Sequence, residues 1–328
     1  MKPVLRLVLL MAALAGALLL GVRMGAVPLS VREVVAGLRG DGDPTTVAIV
    51  RRLRLPRALL AALVGGSLAA SGATFQALLR NPLAEPYILG VSGGAAVGAV
   101  GAIVLTGAPA SGAMVALSAF AGAILAILLV FRVAASVGKA LDTRVLLLAG
   151  VVVGAFFNAC ILLALTFADT ESFRSAMFWM MGSFSGATWR GIGTMAGAMI
   201  PALLLLFALA RPLNLFAVGE ETAAFLGVRT ERTKLLAYGT ASLLTAAAVA
   251  VSGVIGFVGL VVPHVVRMLW GGDHRFLLPA SVLLGATFAI LADTLARTAA
   301  APTELPIGVV TAFVGVPFFV YLLRRRMA

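Results

Sequence analysis

Apolar residues along this chain come in long runs, separated by short breaks that are polar or carry proline. A helix needs about 20 consecutive apolar residues to cross a hydrocarbon core. Runs that reach or approach this length fall at 4–22, 56–79, 87–106, 112–134, 144–167, 190–210, 234–252, 254–269, 276–297 and 306–323. The pattern predicts an all-α polytopic membrane protein of about ten transmembrane helices in a single transmembrane domain spanning 1–328. An even number of crossings puts both termini on one side. Spans two to five and spans seven to ten form two blocks of four entered from opposite faces, the arrangement of an inverted repeat. The first run follows a basic start and lacks a good small-residue cleavage pattern, so it is expected to stay as an uncleaved span.

Within the runs, small residues recur at helical spacing. Gly65, Ala69 and Ala73 form one stripe, and Gly90, Gly94 and Gly98 another. Such stripes let helix backbones approach closely where lipid offers no hydrophobic drive between them. The break "RNPLAEPYILGVSGGA" (80–95) is unlike the others. Pro82 and Pro86 forbid a regular helix and restrict the residues before them, while Asn81 and Glu85 favour water or a capping role. It predicts a rigid turn delivering a glycine-striped helix. The break at 213–234 is too charged to span yet periodic: Leu215, Phe216, Ala223, Leu226 and Val228 face one way, with Glu220, Glu221, Arg229 and Glu231 elsewhere. A short amphipathic helix of this kind lies on lipid or docks in a groove of a partner.

Composition supports the membrane reading. The chain is 61% hydrophobic and only 12% charged, with a mean hydropathy of +1.09, against about 25% charged in soluble domains. The net charge of +12 does not require a nucleic acid, because membrane proteins gather Lys and Arg in cytoplasmic loops. With both termini cytoplasmic, 15 of the 25 basic residues lie inside; of the other ten, seven fall between Arg23 and Arg57. That outward basic cluster is the exception to explain. The single cysteine, Cys160, rules out a disulfide framework and is read as packing. His264 and His274, without cysteine nearby, predict no metal site.

Candidate chemistry inside the spans is sparse. Asp142 and Asp293 lie near span ends, and Arg297 sits one turn after Asp293 as an i,i+4 partner. Lack of a visible buried carboxylate relay disfavours a secondary carrier. Gly138-Lys139 follows valine at the required glycine position and precedes Ala140, so no phosphate loop forms. The chain is not expected to hydrolyse nucleotide or bind a cofactor; ATP and Mg would be held by a partner. "GVSG" (90–93) with His264 fits an intramembrane serine protease using Ser92 as nucleophile, but the match is short and weakly supported.

Four longer motifs carry a resemblance: "RLPRALLAALVGGSLAASGATFQALLRNPLAEPYILGVSGGA" (54–95), "FWMMGSFSGATW" (178–189), "GVIGFVGLVVPHVVR" (253–267) and "ADTLARTAAAPTELPIGVVTAFVGVPFF" (292–319). Together they resemble the FecCD/BtuC-type permeases of bacterial ABC importers for vitamin B12, haem and iron-siderophore complexes. The resemblance implies a homodimer in the bacterial cytoplasmic membrane, bound to two ATPase subunits and an extracytoplasmic binding protein, importing its cargo by alternating access. It implies that Arg54 and Arg57, assisted by Arg297, pair with acidic residues of the binding protein, which accounts for the outward basic cluster. It places Asn81 and Leu83 in a cytoplasmic gate and Thr143 in a second gate. Glu220, Glu221 and Leu226 fall on a coupling helix that fits a cleft of the ATPase.

Overall fold

The computed structural model describes residues 3–107, 112–137 and 141–327; Lys2 and the Gly138-Lys139 pair lie outside them. Among the described residues the regular structure is entirely helical. The helices are α1 (Pro3–Arg23), α2 (Val31–Arg39), α3 (Pro44–Ala48), α4 (Leu55–Leu78), α5 (Val91–Thr106), α6 (Gly112–Ser136), α7 (Thr143–Thr166) and α8 (Thr170–Met180). They continue with α9 (Trp189–Ala208), α10 (Ala210–Val218), α11 (Glu220–Phe225), α12 (Thr230–Ser252), α13 (Val258–Trp270), α14 (His274–Thr298) and α15 (Ile307–Met327). A π-helical turn, Ile49–Arg54, fuses α3 to α4, and a 3₁₀ turn, Pro86–Leu89, leads into α5.

Seven of the described helices are long and apolar enough to cross a membrane, counting α3 to α4 as one helix of 35 residues. Three shorter apolar helices, α5, α13 and the Ile307–Val320 part of α15, complete the set. This is a multi-pass membrane protein. Local sequence explains several helix starts: Ser30 and Glu33 form a capping box on α2, and Asp142, Asp169 and Asp273 cap α7, α8 and α14 through their carboxylates. α2 and α8 are additional to the predicted spans. α8 is too short to cross, and the charges Glu171 and Arg174 break its apolar pattern.

The bundle is held by backbone proximity. α4 lies antiparallel to α14, and a Cβ added at Gly65 would stand 2.3 Å from the Gly285 carbonyl oxygen. On α5, a Cβ at Gly94 would fall 2.3 Å from the Gly122 oxygen and one at Gly98 would fall 2.0 Å from that of Ser118, both on α6. Real Cβ atoms cannot sit so close, so these contacts exist only because the side chains are absent. Gly90 departs from its predicted stripe: at φ 71° it is a left-handed turn residue between the 3₁₀ turn and α5.

Two predicted spans start later than their apolar runs. α5 begins at Val91 rather than 87, and α13 at Val258 rather than 254. Positive-φ glycines, Gly90 and Gly253, mark the two interruptions, and Phe257 at φ 68° strains the second. Arg80 and Phe257 are the non-glycine residues with positive φ among those described. These interruptions follow the first helix of each four-span block, and they meet. The Tyr87 hydroxyl donates to the Ile255 carbonyl at 2.8 Å and accepts from the Ile255 N–H, while Glu85 Oε1 accepts the Phe257 N–H at 2.9 Å. Side chains of the first break thus satisfy backbone groups of the second, as unwound chain inside a membrane must be satisfied.

Candidate functional site

One end of the bundle gathers the predicted docking arginines. The π turn buries Arg54 and leaves Arg51, Arg52 and Leu53 exposed. Arg54 donates to the carbonyls of Val22 (3.1 Å), Arg23 (2.8 Å) and Val27, tying the end of α1 and the turn after it to the head of α4. Arg297 is likewise buried, donating to the carbonyls of Gly21 (2.8 Å) and Met24 (3.1 Å) and lying 3.1 Å from Asp293 Oδ2. Arg57 sits between two carboxylates: its Nε is 3.0 Å from Asp293 Oδ1, and its Nη1 is 2.9 Å from Glu304 Oε2. Side-chain exposure is 3% for Asp293 and 47% for Glu304, so only the Arg57–Glu304 half of the network reaches solvent. The three arginines are therefore brought together, but Arg54 and Arg297 are not the free outward cations expected of them. Buried guanidinium needs acceptors, and here the chain supplies them. Asp293, expected to pair with Arg297 alone, also holds Arg57.

The opposite end holds the predicted gate and coupling residues. After α4, Asn81 is exposed and its Oδ1 accepts the Leu83 N–H at 2.9 Å, folding the break into a tight turn. Leu83 and Pro82 line a small pocket with Leu260, Val261 and His264 of α13 and Phe318 and Phe319 of α15. Gln76 braces the turn from inside: its Nε2 donates to the Leu260 carbonyl at 3.1 Å, and its Oε1 accepts from Arg267 at 2.9 Å. Thr143 opens α7 beside its cap Asp142 and approaches the hydroxyl of Tyr238 on α12. His264 is thus built into the wall behind Leu83, while Ser92 opens α5 against α6 and α7.

The 213–234 segment folds as α10, α11 and the first turn of α12. Leu213, Phe216 and Ala223 are buried, but Leu226 is 58% exposed, with Val218 and Phe225 also exposed. This corrects the predicted apolar face: Leu226 leaves it and joins an outward patch with Glu221. Two polar ties fix the segment to the bundle. Asn214 of α10 donates to Asp273 Oδ1 at 2.7 Å and accepts the His274 N–H at 2.8 Å, at the head of α14. The Asn214 amide and the Arg275 N–H hold the Asp273 carboxyl below the usual carboxylate range. Glu220 pairs with Lys234 of α12, whose amine also donates to the Leu141 carbonyl at 3.0 Å.

Glu85 is the main residue whose environment the sequence did not disclose. Glu85 is a half-buried carboxylate and Asp293 a buried one, where none was expected from the runs. Both are engaged, Asp293 by arginines and Glu85 by a backbone amide. Its position three residues after Pro82 and just before Pro86 hinted at a cap, but its partner lies 172 residues away. Beside this junction an apolar groove of about 560 Å³ is lined by Met180, Met181, Gly256, Phe257, Phe313 and Pro317, among others.

Comparison with known proteins gives the class of the chain as a whole. The FecCD transport family matches residues 10–325. The chain belongs to this family and is an ABC importer permease of the FecCD/BtuC type. It is 47% identical over 286 residues to the cobalamin import system permease protein BtuC of Halobacterium salinarum, covering 87% of this chain and 76% of that one. It is 43% identical over 289 residues to the vitamin B12 import system permease protein BtuC of Escherichia coli, covering 88% and 87%. Among solved structures, an inward-facing metal-chelate type ABC transporter superposes with a TM-score of 0.88 at 33% identity, covering 97% of this chain and 98% of that one. PsaBC from Streptococcus pneumoniae, at a TM-score of 0.58 and 18% identity over 89% and 95% of the chains, shares the fold alone.

Proposed function

We propose that this chain imports cobalamin as one half of a homodimeric permease, driven by two ATPase subunits that hold ATP and Mg and fed by an extracytoplasmic binding protein. The observation that carries the substrate is the 47% identity to a relative named for cobalamin import, with a second such name at 43%. The apolar groove agrees with it, since a large chelate passes best along a wall with few strong polar contacts. A second reading, an iron-siderophore or haem chelate, is favoured by the metal-chelate transporter that superposes so closely.

In this reading both termini are cytoplasmic, in the cytoplasmic membrane of a bacterium, as the positive-inside rule favours. The α4 head then faces outward, and the binding protein docks where Arg57 and Glu304 reach the surface, with Arg54 and Arg297 holding that surface in shape. α10 and α11 face the ATPase, with Glu221, Phe225 and Leu226 as the exposed contact and Glu220 tying it to the bundle. Asn81 and Leu83 form one part of the gate and Thr143 another, opened and closed as the ATPase pair moves.

The test is reconstitution of the chain with its ATPase and binding protein in proteoliposomes, titrated with cyanocobalamin, haemin and a ferric siderophore. Cobalamin is expected to stimulate hydrolysis and to accumulate inside, and Arg57→Glu to weaken stimulation by the binding protein. Stimulation by haemin or the siderophore alone moves the second reading to the front. Accumulation without any ATPase overturns both and returns a secondary carrier.

A further inference from the structure

Lys234 is a cation almost without access to water. Its side chain is 4% exposed, in the first turns of α12, and its amine is held by two groups from elsewhere in the chain. One is the Glu220 carboxylate at the head of α11, and the other is the Leu141 carbonyl, two residues before Thr143. Glu220 itself is 43% exposed and lies beside the outward patch of α11. Tyr238, one turn further along α12, is fully buried and approaches Thr143. One buried ammonium therefore joins three segments: the coupling helices, α12 and the chain that starts α7.

A buried ammonium cannot exchange a lost acceptor for water. If α11 is displaced, Lys234 either follows Glu220 or is left with the Leu141 carbonyl alone. Following Glu220 pulls on that carbonyl, and with it on the Asp142 cap and Thr143. The other tie of the coupling segment, Asn214 to Asp273 and His274, leads to α14 and not to α7.

We propose that Lys234 is the positioning residue that carries displacement of the coupling helices to the start of α7, through the Glu220–Lys234–Leu141 bridge. This rests on the importer reading above. Lys234 need not touch cargo or nucleotide. It sets whether movement at the ATPase contact reaches position 143.

The experiment uses the full transporter in nanodiscs at ATPase concentrations that saturate binding. A spin label at Thr143→Cys, in a Cys160→Ser background, reports the distance between the two copies with and without nucleotide. Lys234→Met is expected to abolish most of the nucleotide-driven distance change while hydrolysis continues, so that import per ATP falls roughly 2- to 30-fold, the range set by coupling energies of this kind. Lys234→Arg, which keeps the charge and both acceptors, is expected to restore the change. If Lys234→Met does not fold, Lys234→Met with Glu220→Gln replaces it, since that pair leaves no charge of the bridge unpaired, and the same loss of response is expected. A full response at position 143 in the methionine variants, or an equal loss in the arginine variant, overturns the proposal. Failure of the parent chain to bind any ATPase strikes the importer reading instead.

Discussion

Asp293→Asn tests what holds the outward end together. Asp293 is the shared counter-charge of two guanidinium groups, with Arg57 and Arg297 each about 3 Å from its oxygens and its own side chain 3% exposed. Neutralising it leaves two cations side by side in a site that excludes water. Removing one partner of a buried pair costs about 3–5 kcal/mol, most of it the desolvation of the orphaned charge. Glu304 also binds Arg57, but at 47% exposure water replaces it readily, so Glu304→Gln is expected to cost about 0–1 kcal/mol. The contrast is the prediction, because both carboxylates lie about 3 Å from the same guanidinium, yet Asp293 is buried and shared with Arg297 while Glu304 is half exposed. Unfolding in mixed micelles with increasing dodecyl sulfate measures each difference against the parent. Replacing the cation and anion together, Arg57→Met with Asp293→Leu, should recover most of the loss, because well-packed apolar groups substitute for a buried pair at little cost. Equal costs for Asp293→Asn and Glu304→Gln, or a cost below 1 kcal/mol for the first, would refute the reasoning.

Other expectations follow from single contacts. Gly94→Ala, whose Cβ meets the Gly122 backbone, should destabilise by about 1–3 kcal/mol by forcing α5 and α6 apart; Gly101→Ala on the same helix, with nothing within 4 Å, should be neutral or gain up to about 1 kcal/mol. The same micelle titration separates them. Glu85→Ala strands the Phe257 N–H and should cost about 1–3 kcal/mol, with faster protease cutting near 253–257 as the local readout. Asp273 has its folded pKa lowered by Asn214, so its contribution is present above the unfolded value near pH 4 and is lost as pH falls through the folded one. Asp273→Asn should remove that part of the acid limb in a pH series of thermal unfolding.

Much of this fold was legible in the chain because its solvent is lipid. Ten apolar runs predict ten membrane segments, and the small residues at Gly65, Gly94 and Gly98 mark contacts that only an absent Cβ permits. The two prolines and Glu85 announced a rigid break, and the charged periodic stretch before α12 announced short helices, found as α10 and α11. These are local signals, set by period, length and the chemistry of single residues. What tertiary structure alone decided is which polar groups meet. Arg54 and Arg297 read as surface cations in one dimension, but the fold brings the carbonyls at the end of α1 within reach and closes water out. Glu85 finds its amide 172 residues away, and Lys234 joins a carboxylate 14 residues before it to a carbonyl 93 residues before it. A buried polar group must be satisfied by whatever the packing places beside it, and no periodicity in sequence records that partner.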